Sequence, residues 1–481
     1  MLPPLICRPR RDAALDARQR GFTMAFVAIT MVAIISMAAL SIDIGTLYEA
    51  KAEAQRAADA AALAAAQVIS TSGITGDPTN GPTDGSWSAA CGASGLATLA
   101  ATSVANQNLI GGNAPSKVTV NYGTSAGVGT ITDCTGLGTA FAVNPVVQVY
   151  VQQAKLPTFF ARIFSLIPGG TFSNSGVSAT AAAEAFNPSS SSPMIPVQPR
   201  CVKPWMVPNQ DPGHGSAAFV NASVGSIQNP GLSSSGVVGE TFNLITDCSP
   251  LHRRRCHFNP GQPVATPPNT LQYVPAQTSN ASVAIAANTS ISGCSQPVED
   301  TNYWNAVAGC DQATVYACGT PLANTVDLTS DNPGLPGNDS VNAAQCLINA
   351  SDASPSGTTT NGQDYLDPGA TPYTYPFVIR EGSNSALSSA GIGGGSQITS
   401  SPSIVSLPIY DNTTTLTALT TTPVTVIGFL QVFINSVDSA TGNINITVMN
   451  VAGCGNSATK PAVAGTSPVP VRLITPPVVT P

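Results

Sequence analysis

Hydrophobic positions in this chain follow three different spacings, and each predicts a different kind of element. Between Phe22 and Ile42 there is no spacing at all: "FTMAFVAITMVAIISMAALSI" is 21 residues without a charge. As a helix rising 1.5 Å per residue it is about 30 Å long, the thickness of a bilayer core. From Leu47 onward the spacing is helical. Leu47, Ala50, Ala54, Ala58, Ala61, Ala65 and Val68 recur at three- and four-residue steps and line one narrow face with small side chains. Glu53, Arg56 and Asp59 lie three apart on another face, where i,i+3 pairing helps to solvate it. The pattern predicts a continuous rod, first a membrane span and then an Ala-rich stalk helix whose smooth face packs on a partner or on the chain's own body.

Beyond residue 70 the pattern turns to alternation. Residues 71–95 are rich in turn formers, a short helix is predicted over Leu96–Asn108, and "KVTVNYG" and "VVQVYVQQ" read as strands. Val147, Val149 and Val151 fall on one face of the second, with Gln148, Tyr150 and Gln152 on the other. "LPTFFARIFSLI" carries Phe160, Ile163, Phe164 and Ile167 on one helical stripe, and "GVSATAAAEA" reads as a further strand. "NPSSSSPMIPVQP" (187–199) reads as a linker. Past it, strands are expected at "VVGETFNLI", "YPFVIRE", "SIVSLPIYD", "VTVIGFLQVFIN" and "NINITVMNV", the last two joined by a hairpin at "SVDSATG". The expected organisation is a basic segment over 1–20, an anchor over 21–42 and a stalk helix over 43–70. A small α+β domain over 71–186, a linker over 187–199 and a β-rich domain over 200–481 follow.

Charge gives the span an orientation. Residues 1–20 hold Arg8, Arg10, Arg11, Arg18 and Arg20 against Asp12 and Asp16, whereas the whole chain is at −7. A basic flank before an apolar run predicts a cytoplasmic N-terminus. An acidic body excludes a general nucleic-acid binder. A cleaved secretory signal is the rival reading, with small residues near Met37–Ser41, but its apolar region would be shorter than this run. Cysteine usage agrees with export. Cys7 precedes the anchor and ten follow: Cys91, Cys134, Cys201, Cys248, Cys256, Cys294, Cys310, Cys318, Cys346 and Cys454. An even set suggests up to five disulfides in an oxidising compartment. Short spacing suggests local bridges Cys248/Cys256 and Cys310/Cys318. The fold class is therefore α+β: a transmembrane helix continuing into the stalk helix, then a mainly β, disulfide-stabilised extracytoplasmic body.

The segment "RQRGFTMAFVAITMVAIISMAALSIDIGTLYEAKAEAQRAADAAALAAAQ" resembles the N-terminus of TadG-like proteins, the Flp pilus-assembly (TadE/TadG-like) family. The residues that carry the resemblance are Gly21, the apolar run, Asp43, Gly45, Tyr48, Gln55, Asp59, Ala60, Ala61, Leu63 and Ala64. It implies a membrane-tethered accessory protein of a tight-adherence pilus or a related bacterial secretion system, with pilus-assembly or secretion proteins and the inner membrane as partners. Asp43, Gly45, Tyr48, Gln55 and Asp59 are the candidate partner contacts; the bland reading is that Asp43 marks the membrane exit and Asp59 solvates the stalk. "RGFTMAF" also opens like a prepilin leader, but the fifth residue after Gly21 is Phe26 rather than glutamate, against pilin-type processing.

No catalytic set, metal site or cofactor is expected. "CSPLHRRRCH" gathers Cys248, His252, Cys256 and His257, but three arginines in the loop oppose a cation, so disulfide-bonded cysteines beside solvated histidines fit better. "GTSAG" (123–127) matches a nucleophile elbow, which needs a following helix, whereas "VGTITD" reads as a strand. "YDNTTT" echoes the metal loop of von Willebrand-type domains, which some TadG-like proteins carry, but too little chain follows it for that domain. The expectation is a non-enzymatic scaffold, with an exported adhesin or carbohydrate-binding module as the alternative. Aromatics at 6% are few for a sugar platform.

Overall fold

A computed structural model gives the tertiary structure. It describes residues 13–82, 85–156, 160, 175–190, 195–232, 236–246, 269–278, 291–295, 301–318, 324–326, 339–353, 361–367, 376–387, 391, 393–413, 421–454 and 462–477. The chain forms two compact units: Met1–Ala57 with Ala105–Val118 and Tyr150–Ala179, and Ala58–Val104 with Thr119–Val149 and Thr180–Pro481.

One helix, α1 (Ala13–Ser70), runs 58 residues without interruption. The alanine stretch supplies the best intrinsic helix former. The face that turns inward is wider than the predicted stripe: Ala50, Ala54, Ala57, Ala58, Ala61, Ala62, Ala65, Ala66, Val68 and Ile69 are all buried. The segment expected as a stalk thus carries a buried face along most of its length. Methyl-sized side chains allow this, because they let neighbouring backbone come close.

A five-stranded sheet has the order β18-β4-β3-β1-β2. Its strands are β1 (Lys117–Thr124), β2 (Gly127–Val128), β3 (Val146–Gln153), β4 (Val177–Ala185) and β18 (Val471–Ile474). The alternation read from β3 holds in part: Val147, Val149 and Val151 are fully buried and Tyr150 and Gln152 half-buried, but Gln148, expected on the outer face, is buried, with its Nε2 donating to Pro477 O at 3.3 Å. The "GTSAG" stretch is the turn of a hairpin, Gly123 facing Val128 and Thr124 facing Gly127, so no elbow forms. Above the sheet lie α2 (Ser88–Cys91), α3 (Leu96–Gln107) and α4 (Gly138–Val143). Tyr122 links two of them to β1, hydrogen-bonding Thr98 Oγ1 at 2.8 Å and meeting the Phe141 ring edge-on at 6.4 Å. "LPTFFARIFSLI", apart from Leu156 and Phe160, lies outside the described residues.

The larger second unit is built around a closed six-stranded barrel, in the order β13-β15-β16-β7-β8-β6. Its strands are β6 (Trp205–Pro208), β7 (Thr241–Thr246), β8 (Thr270–Pro275), β13 (Ile404–Tyr410), β15 (Val426–Asp438) and β16 (Asn443–Gly453). β15 and β16 form the predicted hairpin, running in register from Gly428↔Gly453 to Asp438↔Asn443 around two bulges. Parallel pairs β7–β8 and β6–β13 complete the wall. Both faces of these strands are buried. Trp205, Val207, Leu271, Tyr273, Leu407 and Ile409 join one apolar cluster with helices α5 (Thr301–Ala308) and α6 (Asp339–Leu347), while Met206, Val274, Tyr410 and Phe429 join a second. Smaller pairings surround the barrel: β5 (Val197–Pro199) with β17 (Val463–Gly465), β9 (Asn324–Val326) with β14 (Thr422–Val424), and the three-stranded β10 (Tyr365–Leu366), β11 (Ile379–Arg380) and β12 (Gln397–Ile398).

The expected boundary at 187–199 is bridged by this fold. Asn187, at the head of the stretch read as a linker, is fully buried, and its tail pairs as β5 with β17. The amide of Asn187 donates to Thr75 O at 3.0 Å and Val451 O at 2.9 Å, its Oδ1 accepts from Ser189 N–H, and Asn450 Nδ2 reaches Thr75 Oγ1 at 2.6 Å. The C-terminal strand likewise returns to the first sheet, where Arg472 pairs with Glu184 at 2.6 Å opposite it and lies over the Phe186 ring. The composition of 187–199 could not show this, because the polar residue that orders it has partners up to 264 positions away.

Among the described residues, four disulfides fasten the body: Cys91–Cys134, Cys201–Cys310, Cys294–Cys346 and Cys318–Cys454, at sequence separations of 43, 109, 52 and 136. The local bridge expected between Cys310 and Cys318 does not form, since the fold places each beside a distant partner instead. Cys7, Cys248 and Cys256 lie outside the described residues. Chain-entropy reasoning assigns roughly 4–5 kcal/mol to each closure of this length.

Two predictions follow from buried polar groups. Lys203 is wholly buried, its Nζ donating to Gly309 O at 2.5 Å and Ala306 O at 3.4 Å at the C-terminus of α5, and burial lowers its pKa to about 7. Between that value and 10.5 the unfolded chain binds the extra proton, so stability rises with pH through this window. We predict that the difference between wild type and Lys203→Met in urea unfolding isolates a contribution that rises with pH through this window by up to about 1.4 kcal/mol per unit. Replacing Asn187 by Ala strips partners from Thr75 O, Val451 O and Ser189 N–H at once; a loss of about 2–3 kcal/mol in the same assay is expected.

Candidate membrane-exit site

The first half of α1 faces outward with large apolar side chains. Met24, Phe26, Val27, Ile29, Met31, Val32, Ile34, Ile35, Met37, Leu40, Ile42 and Ile44 are all exposed. Two of the polar side chains among them bond back onto the helix. Thr30 Oγ1 donates to Phe26 O and Val27 O, both at 3.0 Å, and Ser36 Oγ to Val32 O at 2.8 Å. A hydrocarbon environment requires this, because it supplies no partner for an orphan hydroxyl. The segment is long and apolar enough to cross a membrane and is compatible with a single-pass anchor. A second apolar stretch, Gly85–Gln107, also passes the length test, but it is broken into short helices, is partly buried and carries the disulfide-bonded Cys91.

Asp43 marks the change of environment. It is only 2% exposed, although Ile42 and Ile44 on either side are open, and its Oδ2 accepts the backbone N–H of Phe160 at 2.9 Å. Helix geometry explains the placement: Ala50, Ala54 and Ala61 lie 7, 11 and 18 positions further on, all returning to the same side of α1. Two more charged side chains of the first unit act in the same way on backbone groups. Lys51 Nζ donates to Ser178 O, and Glu53 Oε2 accepts from Gly111 N–H at 2.7 Å in a turn where Gly111 and Gly112 take the left-handed conformation. Nearby, Ser116 Oγ bridges Gln152 O and Ala154 N, and Ser175 and Leu156 exchange bonds that bring their segments together.

Residues 21–68 match the model of the Tad family, "Putative Flp pilus-assembly TadE/G-like". That segment is TadE/G-like. No curated protein and no solved structure matches the chain. The Tad match covers about a tenth of the sequence and takes in both the outward-facing and the inward-facing parts of α1.

Within the Tad segment the five candidate contact residues separate by exposure. Asp43 is buried and holds Phe160 N–H; Gln55 and Asp59 are half-buried. Tyr48 is 73% exposed, and a Cβ at Gly45 would meet nothing within 4 Å. Gly45 and Tyr48, three apart, therefore share an open flank just beyond the apolar span. Lys51 was not expected as a contact, and Glu53 was expected only to solvate the helix. Their signal was the presence of charge on a helix otherwise almost all alanine, which solvation explained equally well.

Asp43→Leu removes the acceptor for Phe160, whereas Asp43→Asn keeps one. We predict that amide hydrogen exchange at Phe160 accelerates at least about tenfold in the first variant and stays near wild type in the second, the loss of one charge-assisted bond being worth about 1.5–3 kcal/mol.

Proposed function

We propose that this chain is a membrane-tethered accessory or scaffold protein of tight-adherence (Flp) pilus assembly, or of a related envelope secretion system. The observation that carries the reading is the coincidence of the Tad match with a helix that is lipid-compatible over its first half and buried over its second. In this reading the chain sits in a bacterial inner membrane with its N-terminus in the cytoplasm, which the five arginines ahead of the span support. Its body lies in the periplasm or outside the cell, which the four disulfides support. The action is tethering without catalysis. The span fixes the body at the membrane, and the open flank of Gly45 and Tyr48 packs against a pilus-assembly or secretion component.

A deletion strain complemented in two ways tests the tether. Full-length protein is expected to restore pili, and the body exported behind a cleavable signal is expected not to; piliation with the untethered body would overturn the reading. The flank has its own test. Gly45→Leu adds a side chain into open space and improves helix propensity by about 0.8 kcal/mol, so the protein should accumulate normally. Fewer pili at normal protein level is the expected result, and full piliation would remove Gly45 from the contact.

A further inference from the structure

Away from the membrane-exit site, the second unit gathers three metal-capable side chains at one place. Asp211, His214 and Glu240 each bring a ligand atom within 4.8 Å of the others. His214 Nδ1 lies 2.8 Å from Asp211 Oδ2. The loop that presents the first two is tightly folded. Asp211 and Ala217 form an isolated bridge, Ser216 N–H donates to Asp211 O at 2.9 Å, and Gly213 N–H donates to Asp211 Oδ1 at 3.0 Å. Gly215 and Ser216 both take positive φ, 64° and 68°, which turns the chain back on itself. A Cβ at Gly213 would stand 1.4 Å from Glu240 Oε1, so a larger residue there would displace the Glu240 carboxyl.

The chemistry of this cluster is unbalanced. Asp211 is 0% exposed and Glu240 8%, so two carboxylates lie side by side out of water. Glu240 Oε2 has no hydrogen-bond partner. A buried acceptor left unpaired costs about 1–3 kcal/mol, more for a charged group. A cation bound among these groups removes both faults at once. It gives Oε2 a bond and offsets two like charges.

We propose that Asp211, His214 and Glu240 form a divalent-cation site of the Zn2+ class. An imidazole with two carboxylates is a borderline donor set that suits Zn2+ or Mn2+, whereas Mg2+ and Ca2+ favour oxygen alone. Three protein ligands leave further positions for water or a partner's side chain. His214, 21% exposed at its side chain, stands at the rim and provides the route in. The cation acts as a fastener between the 211–217 loop and the residue that leads into β7.

Full-length protein in detergent, stripped with a chelator under non-reducing conditions and dialysed against Zn2+, tests the site. Elemental analysis is expected to find about one tightly held Zn2+ per chain, with a higher melting temperature than the stripped form. Glu240→Gln and His214→Ala are each expected to weaken Zn2+ affinity at least about tenfold, since even outer-shell losses reach that size. The double variant His252→Ala/His257→Ala, in the other histidine-bearing stretch, is expected to bind normally. Near-UV circular dichroism and non-reducing peptide mapping show whether each variant keeps its fold and bridges. Absence of retained Zn2+ and Mn2+ in the wild type overturns the proposal, and so does unchanged affinity in folded Glu240→Gln and His214→Ala.

Discussion

A single unbroken helix exposes large apolar side chains over one stretch and buries an alanine face over the next, and most of what is distinctive in this protein follows from that contrast. In hydrocarbon every backbone and side-chain polar group must be satisfied within the helix itself. Thr30 and Ser36 meet this by bonding back to carbonyls one turn earlier. Against protein the need is different: the surface has to admit another backbone at close range, and side chains larger than a methyl group prevent it. The sequence changes accordingly, from Met, Phe, Val and Ile in the outward-facing part to alanine on the buried face. Asp43 stands where the two regimes meet. Its buried carboxylate accepts the backbone N–H of Phe160, a partner that a buried charge needs.

Low charge and abundant glycine and proline leave the body poor in local order, and its stability comes from contacts made across long sequence distances. The barrel closes through pairs as remote as β6 with β13 and β16 with β7, and the first sheet is completed by a strand from the far end of the chain. Such contacts carry a large loop-closure cost. The disulfides reduce that cost in the unfolded state, linking residues up to 136 positions apart. Oxidising conditions are therefore a requirement for these bridges to form and to stabilise the body.

Buried polar groups in the body fall into two kinds. The knot around Asn187, Thr75 and Asn450 is mutually satisfied and ties the turn after α1, the 187–189 segment and β16 into one piece. Lys203 is similar, closing the end of α5. The carboxylates of Asp211 and Glu240 are of the other kind, brought together with one oxygen unpaired. Their distinguishing feature is that a metal-capable imidazole, His214, stands beside them.

The sequence alone determined what depends on composition and short period. The uncharged length of Phe22–Ile42, the alanine stripe after it, the β15–β16 hairpin and the inward valines of β3 were all legible, because each rests on neighbours within a few residues. The Tad resemblance was legible for the same reason, its polar residues standing at fixed places in one helix. Only the tertiary structure decided which cysteines pair, that 187–199 carries structural contacts at both described ends, and that the strands close into a barrel. It also brought Asp211, His214 and Glu240 to one point, though Glu240 is remote from the loop and nothing in "DPGHG" names it. Register and pairing between distant segments depend on which buried faces match once the chain has collapsed. No local pattern carries that information.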